Sequence, residues 1–106
     1  MSVPPLERHK TPLDPIIREN QARALQLGLW FDDGNIILIA ENMPFKVHKS
    51  ILSMKAEVFR DMFSIPQPEL QEETEFMDGI PVVRMSDSWH ELCIILHALY
   101  DGYRYV

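Results

Sequence analysis

The amino-acid sequence predicts a small mixed α+β domain in which helices flank a sheet of three strands. Short runs of β-forming residues at 36–39, 45–47 and 82–85 alternate with segments whose apolar residues recur every three or four positions. The predicted order is helix, strand, strand, helices, strand, helix, which is typical of one small sheet with helices packed on it. A chain of 106 residues is long enough for one such domain.

The first 34 residues are predicted to be an N-terminal segment that contains one helix. Residues 1–13 contain three prolines and few large apolar groups, which is typical of a loosely attached segment. Asp14 and Pro15 then favour a helix start, because aspartate caps exposed N–H groups and proline suits the first helical position. Gly28 favours a stop, so the predicted helix covers 15–27.

A β-hairpin is predicted next. The β-formers at 36–39 are consecutive, which favours a strand covered on both faces. Asp33 and Gly34 permit a tight bend before it, and residues 41–44 supply the turn to the returning strand at 45–47.

The middle of the chain predicts a helical region followed by an acidic loop. Apolar residues recur at helical spacing over 48–64. Residues 64–79 then contain five acids, two prolines and no lysine or arginine, which predicts a solvated acidic loop. The short strand 82–85 follows it.

The final segment predicts a helix with a clear start signal. Ser88 and Glu91 form an S-x-x-E capping box before apolar residues at helical spacing, and Gly102 ends the pattern. Three further apolar residues lie on other sides of this helix, so we expect it to be almost enclosed. These three are Ile94, Ile95 and Ala98.

The composition excludes several classes of protein. No apolar run approaches the roughly 18 residues that a membrane span needs, and the N-terminus has no apolar signal region. A net charge of −6 disfavours binding to a nucleic-acid backbone. The single cysteine, Cys93, excludes an internal disulfide and fits an intracellular location, cytoplasmic or nuclear. We therefore expect neither nucleic acid nor a membrane as a partner.

No residue pattern predicts catalysis or a cofactor. Glycine-rich phosphate loops are missing, and nothing excludes water from the paired carboxylates in the predicted turns. His90, Cys93 and His97 share one side of the final helix, but structural zinc normally takes four ligands from more than one segment. We expect no enzyme, cofactor or small-molecule substrate, and a metal-binding protein is the least favoured alternative.

Two blocks of the sequence resemble BTB/POZ domains. Residues 35–63, NIILIAENMPFKVHKSILSMKAEVFRDMF, resemble the family's opening strand and hairpin, its Phe-x-x-His-Lys/Arg motif and a V-F-x-x-M-F-like helix. Residues 79–102, GIPVVRMSDSWHELCIILHALYDG, resemble its third strand and the helix after it. WFDDGN at 30–35 and IPQP at 65–68 are similar to fungal members. The matching residues of the first block are Phe45, His48, Lys49, Leu52, Val58, Phe59, Met62 and Phe63.

The resemblance implies a POZ fold over 35–106 and a role in protein–protein interaction. Family members typically form homodimers through an N-terminal helix and strand, and some are adaptors for cullin ubiquitin ligases, which is the alternative function. The chain ends at Val106, about where the family's further helices begin, so we expect a partial domain. His48 and the other matching apolar residues are expected to be structural.

Six residues are candidates for contact with a protein partner, expected to be a second copy of the chain. Lys49 matches the basic residue of a charged pocket at the family's dimer interface, and Asn35 stands where its acidic partner usually lies. A neutral amide can still form a hydrogen bond with Lys49. The other four precede the core and have no assigned place inside it: Leu25, Leu29, Trp30 and Phe31.

Overall fold

The computed structural model describes residues 15–64 and 75–104, and within them the chain forms four helices and one sheet. The predictions for 1–13 and for most of the acidic segment, including 65–68, lie outside the described residues. The elements are α1 (Pro15–Gln26), β1 (Ile36–Ala40), β2 (Met43–Val47), α2 (Lys49–Lys55), α3 (Glu57–Ser64), β3 (Glu75–Met77), β4 (Ile80–Met85) and α4 (Trp89–Arg104).

The sheet has four strands in the order β2-β1-β4-β3. β1 and β2 form the predicted antiparallel hairpin, with Ile36 opposite Val47. β4 pairs parallel to β1, with Leu38 opposite Val83. A parallel pair needs a long crossover, and α2 and α3 lie in it. The predicted mixed α+β fold with a small sheet is confirmed.

The prediction of three strands was wrong, because β3 lies within the segment predicted as a loop. Glu75–Met77 pairs antiparallel with β4 through a tight turn at Asp78 and Gly79. These two residues have φ angles of 54° and 81°, the left-handed values that a two-residue hairpin turn requires. Arg84 of β4 donates to both carboxylate oxygens of Glu75 at 2.8 and 3.2 Å, which compensates the charge on this strand.

The two faces of the sheet have separate cores, and α1 contributes Ala24 to one and Ile17 to the other. On the bundle face, Leu38 and Phe45 pack under α2, α3 and α4, which contribute Leu52, Phe59, Leu92 and Leu96 to one core. On the α1 face, Ile37 and Ile39 pack with Ile17, Met77 and Val82 in a second core. Because successive side chains alternate across a strand, β1 is buried on both sides, as the run at 36–39 predicts.

Helix α1 is fixed to the sheet by one apolar side and two polar contacts. Ile17 and Ala24 are fully buried. Arg18 donates to both carboxylate oxygens of Asp78 at 3.0 Å, and the Asn20 amide donates to the carbonyl oxygen of Asn42 at 2.9 Å. These contacts join α1 to the turns of both hairpins.

A glycine turn ends α1, as the sequence predicts. Gly28 has a φ of 77°, and its N–H donates to the Leu25 carbonyl at 3.0 Å. The N–H of Leu29 donates to the Ala24 carbonyl at 3.0 Å, which completes a Schellman motif. The motif directs residue 29 back toward the sheet.

Helix α4 is anchored at its start but is not enclosed. The N–H of Glu91 donates to Ser88 Oγ at 3.1 Å, and the N–H of Trp89 donates to Glu41 Oε1 in the β1–β2 turn at 2.9 Å. The expected enclosure was wrong, because the described residues cover only the side of α4 that carries Leu92 and Leu96. The three residues on its other side are exposed: Ile94, Ile95 and Ala98.

Candidate functional site

The segment that joins α1 to β1 runs along the free edge of β2. The N–H of Lys46 donates to the carbonyl of Leu29 at 3.1 Å, and the N–H of Phe31 donates to the carbonyl of Lys46 at 3.0 Å. These two bonds pair Trp30 with Lys46 as in a short parallel sheet. The side chains also meet, because Lys46 Nζ lies 5.8 Å from the centroid of the Trp30 ring. This pairing covers part of an edge that could otherwise bind another strand.

The pairing shows that one of the six candidate contact residues lies in the core. Leu29 is 1% exposed, so the prediction that it contacts a partner was wrong. The glycine turn and the two bonds to Lys46 direct its side chain inward. Trp30 and Phe31 are half-buried and pack against the core, whereas Leu25 is 60% exposed on α1. Partner contact at these three residues stays a prediction.

Asn35 and Lys49 are neighbours, and the contact between them involves the main chain of Lys49 and not its ammonium group. Asn35 Oδ1 accepts a hydrogen bond from the backbone N–H of Lys49 at 2.8 Å. His48, at the cap position of α2, makes no capping bond with its own side chain, so Asn35 satisfies a free N–H of the first turn. The Lys49 ammonium is exposed and lies 6.0 Å from the centroid of the Phe63 ring.

His48 joins three parts of the chain in a polar cluster with Asp33 and Tyr100. Its backbone N–H donates to Tyr100 Oη at 2.9 Å, and its ring Nδ1 lies 2.9 Å from the same oxygen. The Asp33 carboxylate can only accept, which places a ring proton on Nε2, and with Nδ1 unprotonated the Tyr100 hydroxyl donates to it. Nε2 lies 2.8 Å from Asp33 Oδ1 and donates to it. Phe31 stacks on Tyr100 with ring centroids 4.9 Å apart.

The charges in this cluster fit a structural role. The hydrogen bond from His48 holds the pKa of Asp33 below its ordinary value, so Asp33 is ionised at neutral pH. Burial raises the pKa of the Tyr100 hydroxyl, so the hydroxyl stays protonated. A raised pKa is the wrong direction for a nucleophile. The cluster therefore fixes the loop before β1 and the start of α2 against α4.

Most of the residues that match the family pattern are packed inside the domain. Phe45 and Leu52 are fully buried and Phe59 is 4% exposed, while Met62 and Phe63 are partly buried against the same core. Val58 is 71% exposed, so its expected structural role in the core was wrong. The chain is extended at Ala56, and α3 starts anew with Phe59, not Val58, turned to the core.

The described residues contain no assembled metal site. No group of three or more histidine, cysteine, aspartate or glutamate side chains within 15–64 and 75–104 could hold an ion. His90 is exposed, while Cys93 is 7% exposed and burial raises the pKa of its thiol. The structure therefore gives no support to the metal-binding alternative in this part of the chain. No helix in the same residues has the length and apolar character to cross a membrane.

Exposed apolar side chains are the remaining candidates for a functional surface. Single exposed apolar residues are ordinary on protein surfaces, but neighbouring ones indicate binding. Ile94 and Ile95 are neighbours on α4, whereas Ile16 and Leu25 lie 180° apart around α1 at helical spacing. The large exposed apolar residues of the described chain are Ile16, Leu25, Met54, Val58, Phe76, Ile94 and Ile95.

Comparison with models of known protein families gives a match over most of the chain. A family model of the BTB/POZ domain matches residues 31–104, which is well over half of the chain. The matched range starts in the segment that pairs with β2 and includes the whole sheet and α2 to α4. A search of curated proteins and a search of solved structures each gave no match.

Proposed function

Because the chain belongs to the BTB/POZ domain family, a family of protein–protein interaction modules, we propose that it pairs with a second copy of itself through α1 and the adjoining residues Trp30 and Phe31. The pairing follows the expectation from the resemblance, in which family members form homodimers through an N-terminal helix, and the observation that carries it is Leu25, which is 60% exposed on a helix that Arg18 and Asn20 hold to the turns of the two hairpins. A rigid helix loses little conformational freedom when a partner covers it.

The proposed pairing is two-fold symmetric, so each favourable contact occurs twice. Complete burial of a leucine side chain contributes about 1.5–3 kcal/mol. Leu25 is 60% exposed, so its burial contributes about 1–2 kcal/mol in each copy. The half-buried rings of Trp30 and Phe31 add apolar and aromatic surface of the kind enriched at interfaces.

The test compares Leu25→Glu with Met54→Glu by light scattering. Met54 is 67% exposed on α2, so it offers a matched control away from α1. We expect the wild type and Met54→Glu to be dimers, and Leu25→Glu to weaken the dimer about a hundredfold or more. Circular dichroism should be the same for all three. Equal dimerisation of Leu25→Glu and Met54→Glu would contradict the proposed surface.

The adaptor role for cullin ubiquitin ligases stays a prediction from the resemblance. So does the cytoplasmic or nuclear location. The lack of enzymatic activity is likewise an expectation from the family, whose members act by binding other proteins.

A further inference from the structure

The side of α1 that faces away from the sheet carries two charged residues that form no ion pair with the described chain. Glu19 and Arg23 are exposed, and none of the salt bridges within 15–64 and 75–104 includes either of them. Arg18, the remaining charged residue of the helix, already binds both carboxylate oxygens of Asp78 at 3.0 Å. Glu19 and Arg23 are therefore two opposite charges that a partner can bind.

Ala22 lies near the outermost line of the same side. At about 100° per residue, it lies about 140–160° around the helix from Ile17 and Ala24, the two buried residues of α1. The distance between two packed helices depends on the side chains at their contact. An exposed residue as small as alanine therefore allows a second helix to approach α1 closely.

The charges distinguish between the two ways in which two copies of α1 can pack about a two-fold axis. In a parallel pair each residue lies level with its own copy, so Glu19 would face the partner's Glu19, and like charges placed together destabilise an interface. In an antiparallel pair with residue 21 at the axis, Glu19 lies level with the partner's Arg23, and symmetry forms this contact twice. Because the net charge of −6 opposes self-association, the antiparallel pair is favoured.

We propose, building on the self-pairing above, that two copies of α1 pack antiparallel with an ion pair between Glu19 of each copy and the partner's Arg23. Ala22 then lies about 3 Å along the helix axis from the partner's Ala22, so the two helices touch beside the axis. Exposed ion pairs contribute little to affinity. The effect of these two is to select the orientation and register of the dimer.

The same register covers the exposed side chain of Leu25. Leu25 and Arg18 lie about 20° apart around α1, and in the antiparallel pair Leu25 lies within about 2 Å of the level of the partner's Arg18. Two hydrogen bonds to Asp78 hold that arginine in place, so its methylene groups form an apolar surface against which Leu25 packs. One arrangement therefore provides contacts for Leu25 and for both charges.

Charge reversal tests the register because the two members of each ion pair lie on different chains. Glu19→Arg and Arg23→Glu should each weaken the dimer about tenfold or more in sedimentation equilibrium, since each places like charges together at two symmetric sites. When the two variants are mixed, they should form a heterodimer of nearly wild-type affinity, which native mass spectrometry separates from both homodimers. Mixing could not restore an ion pair within one helix.

Glu57→Arg is the matched control, because Glu57 is an exposed acid on α3 whose ion pair is with Arg60 at 3.4 Å. It changes the net charge as Glu19→Arg does, yet it should neither weaken the dimer nor restore dimerisation when mixed with Arg23→Glu. The register is overturned if Glu19→Arg dimerises as tightly as the wild type, or if mixing it with Arg23→Glu gives no heterodimer. In both cases a dimeric wild type would still support the self-pairing, whereas a monomeric wild type would overturn both.

Oxidative crosslinking measures the register without changing any charge. Ala22→Cys should give a disulfide-linked dimer, because the two substituted positions meet beside the axis. Gln26→Cys should not, since its two copies lie about 15 Å apart along the helices. The wild type controls for linkage through Cys93, which is 7% exposed. A dimer in which Ala22→Cys links no faster than Gln26→Cys would contradict the antiparallel register.

Discussion

Replacing Gly34 with alanine is expected to destabilise the domain because the chain passes too close to β2 at this residue. A Cβ on Gly34 would lie 2.8 Å from the carbonyl oxygen of Val47 and 2.8 Å from Cγ of Lys46. The lysine side chain can move away, but the backbone oxygen of Val47 cannot, since it accepts the N–H of Asn35 at 2.9 Å. The segment before β1 must therefore shift.

The cost follows from what that shift disturbs. It weakens the bond from Asn35 to Val47 and moves the Asn35 oxygen that caps α2 at 2.8 Å. One weakened backbone hydrogen bond and one overpacked contact together cost about 2 kcal/mol. For a domain of this size, that corresponds to a fall in Tm of roughly 10 °C.

Thermal unfolding followed by circular dichroism at one fixed protein concentration measures this fall. Gly28→Ala is the matched control, because no atom lies within 4 Å of its Cβ position and only its φ of 77° opposes the substitution. A Cβ in this left-handed conformation costs about 1 kcal/mol. If Gly34→Ala is as stable as Gly28→Ala or more so, the close approach to Val47 does not constrain the fold as described.

Three further predictions concern the contacts at the start of α2. Tyr100→Phe removes the acceptor of the His48 N–H and should lower the free energy of unfolding by about 1–3 kcal/mol in urea titrations. Asn35→Ala removes the cap on Lys49 and should cost about 1 kcal/mol in the same titrations; no change would argue against the cap. Because the pKa of Asp33 is lowered by His48, its stabilising effect is present above the ordinary carboxyl pKa and lost as pH falls through the lowered value. The stability gap between wild type and Asp33→Ala should therefore close in acid, and a gap independent of pH would contradict the contact.

An element can be predicted from the sequence when the residues that determine its ends are only a few positions away from those ends. Asp14, Pro15 and Gly28 predict α1, and Ser88 with Glu91 predicts the start of α4, because capping involves residues only a few positions apart. β3 has no such signal. It is short and acidic, and its charge is compensated by Arg84, nine positions away on the neighbouring strand.

The candidate site was harder to predict because residues far away in the sequence determine which of its side chains are buried. Leu29 looks free in the sequence, yet its backbone pairs with Lys46 and its side chain turns inward. Glu41 binds the first N–H of α4 from 48 positions away, and no local pattern indicates it. The spacing of apolar residues likewise shows how wide the apolar surface of α4 is. It does not show that the other described residues leave the side with Ile94 exposed.

Sedimentation equilibrium of the wild-type chain over a dilution series in the micromolar range tests the proposed self-pairing without any substitution. We expect a molar mass of twice the 12.4 kDa of one chain at the upper end of the series, falling toward 12.4 kDa on dilution. A folded chain that stays at 12.4 kDa throughout the series would contradict the dimer.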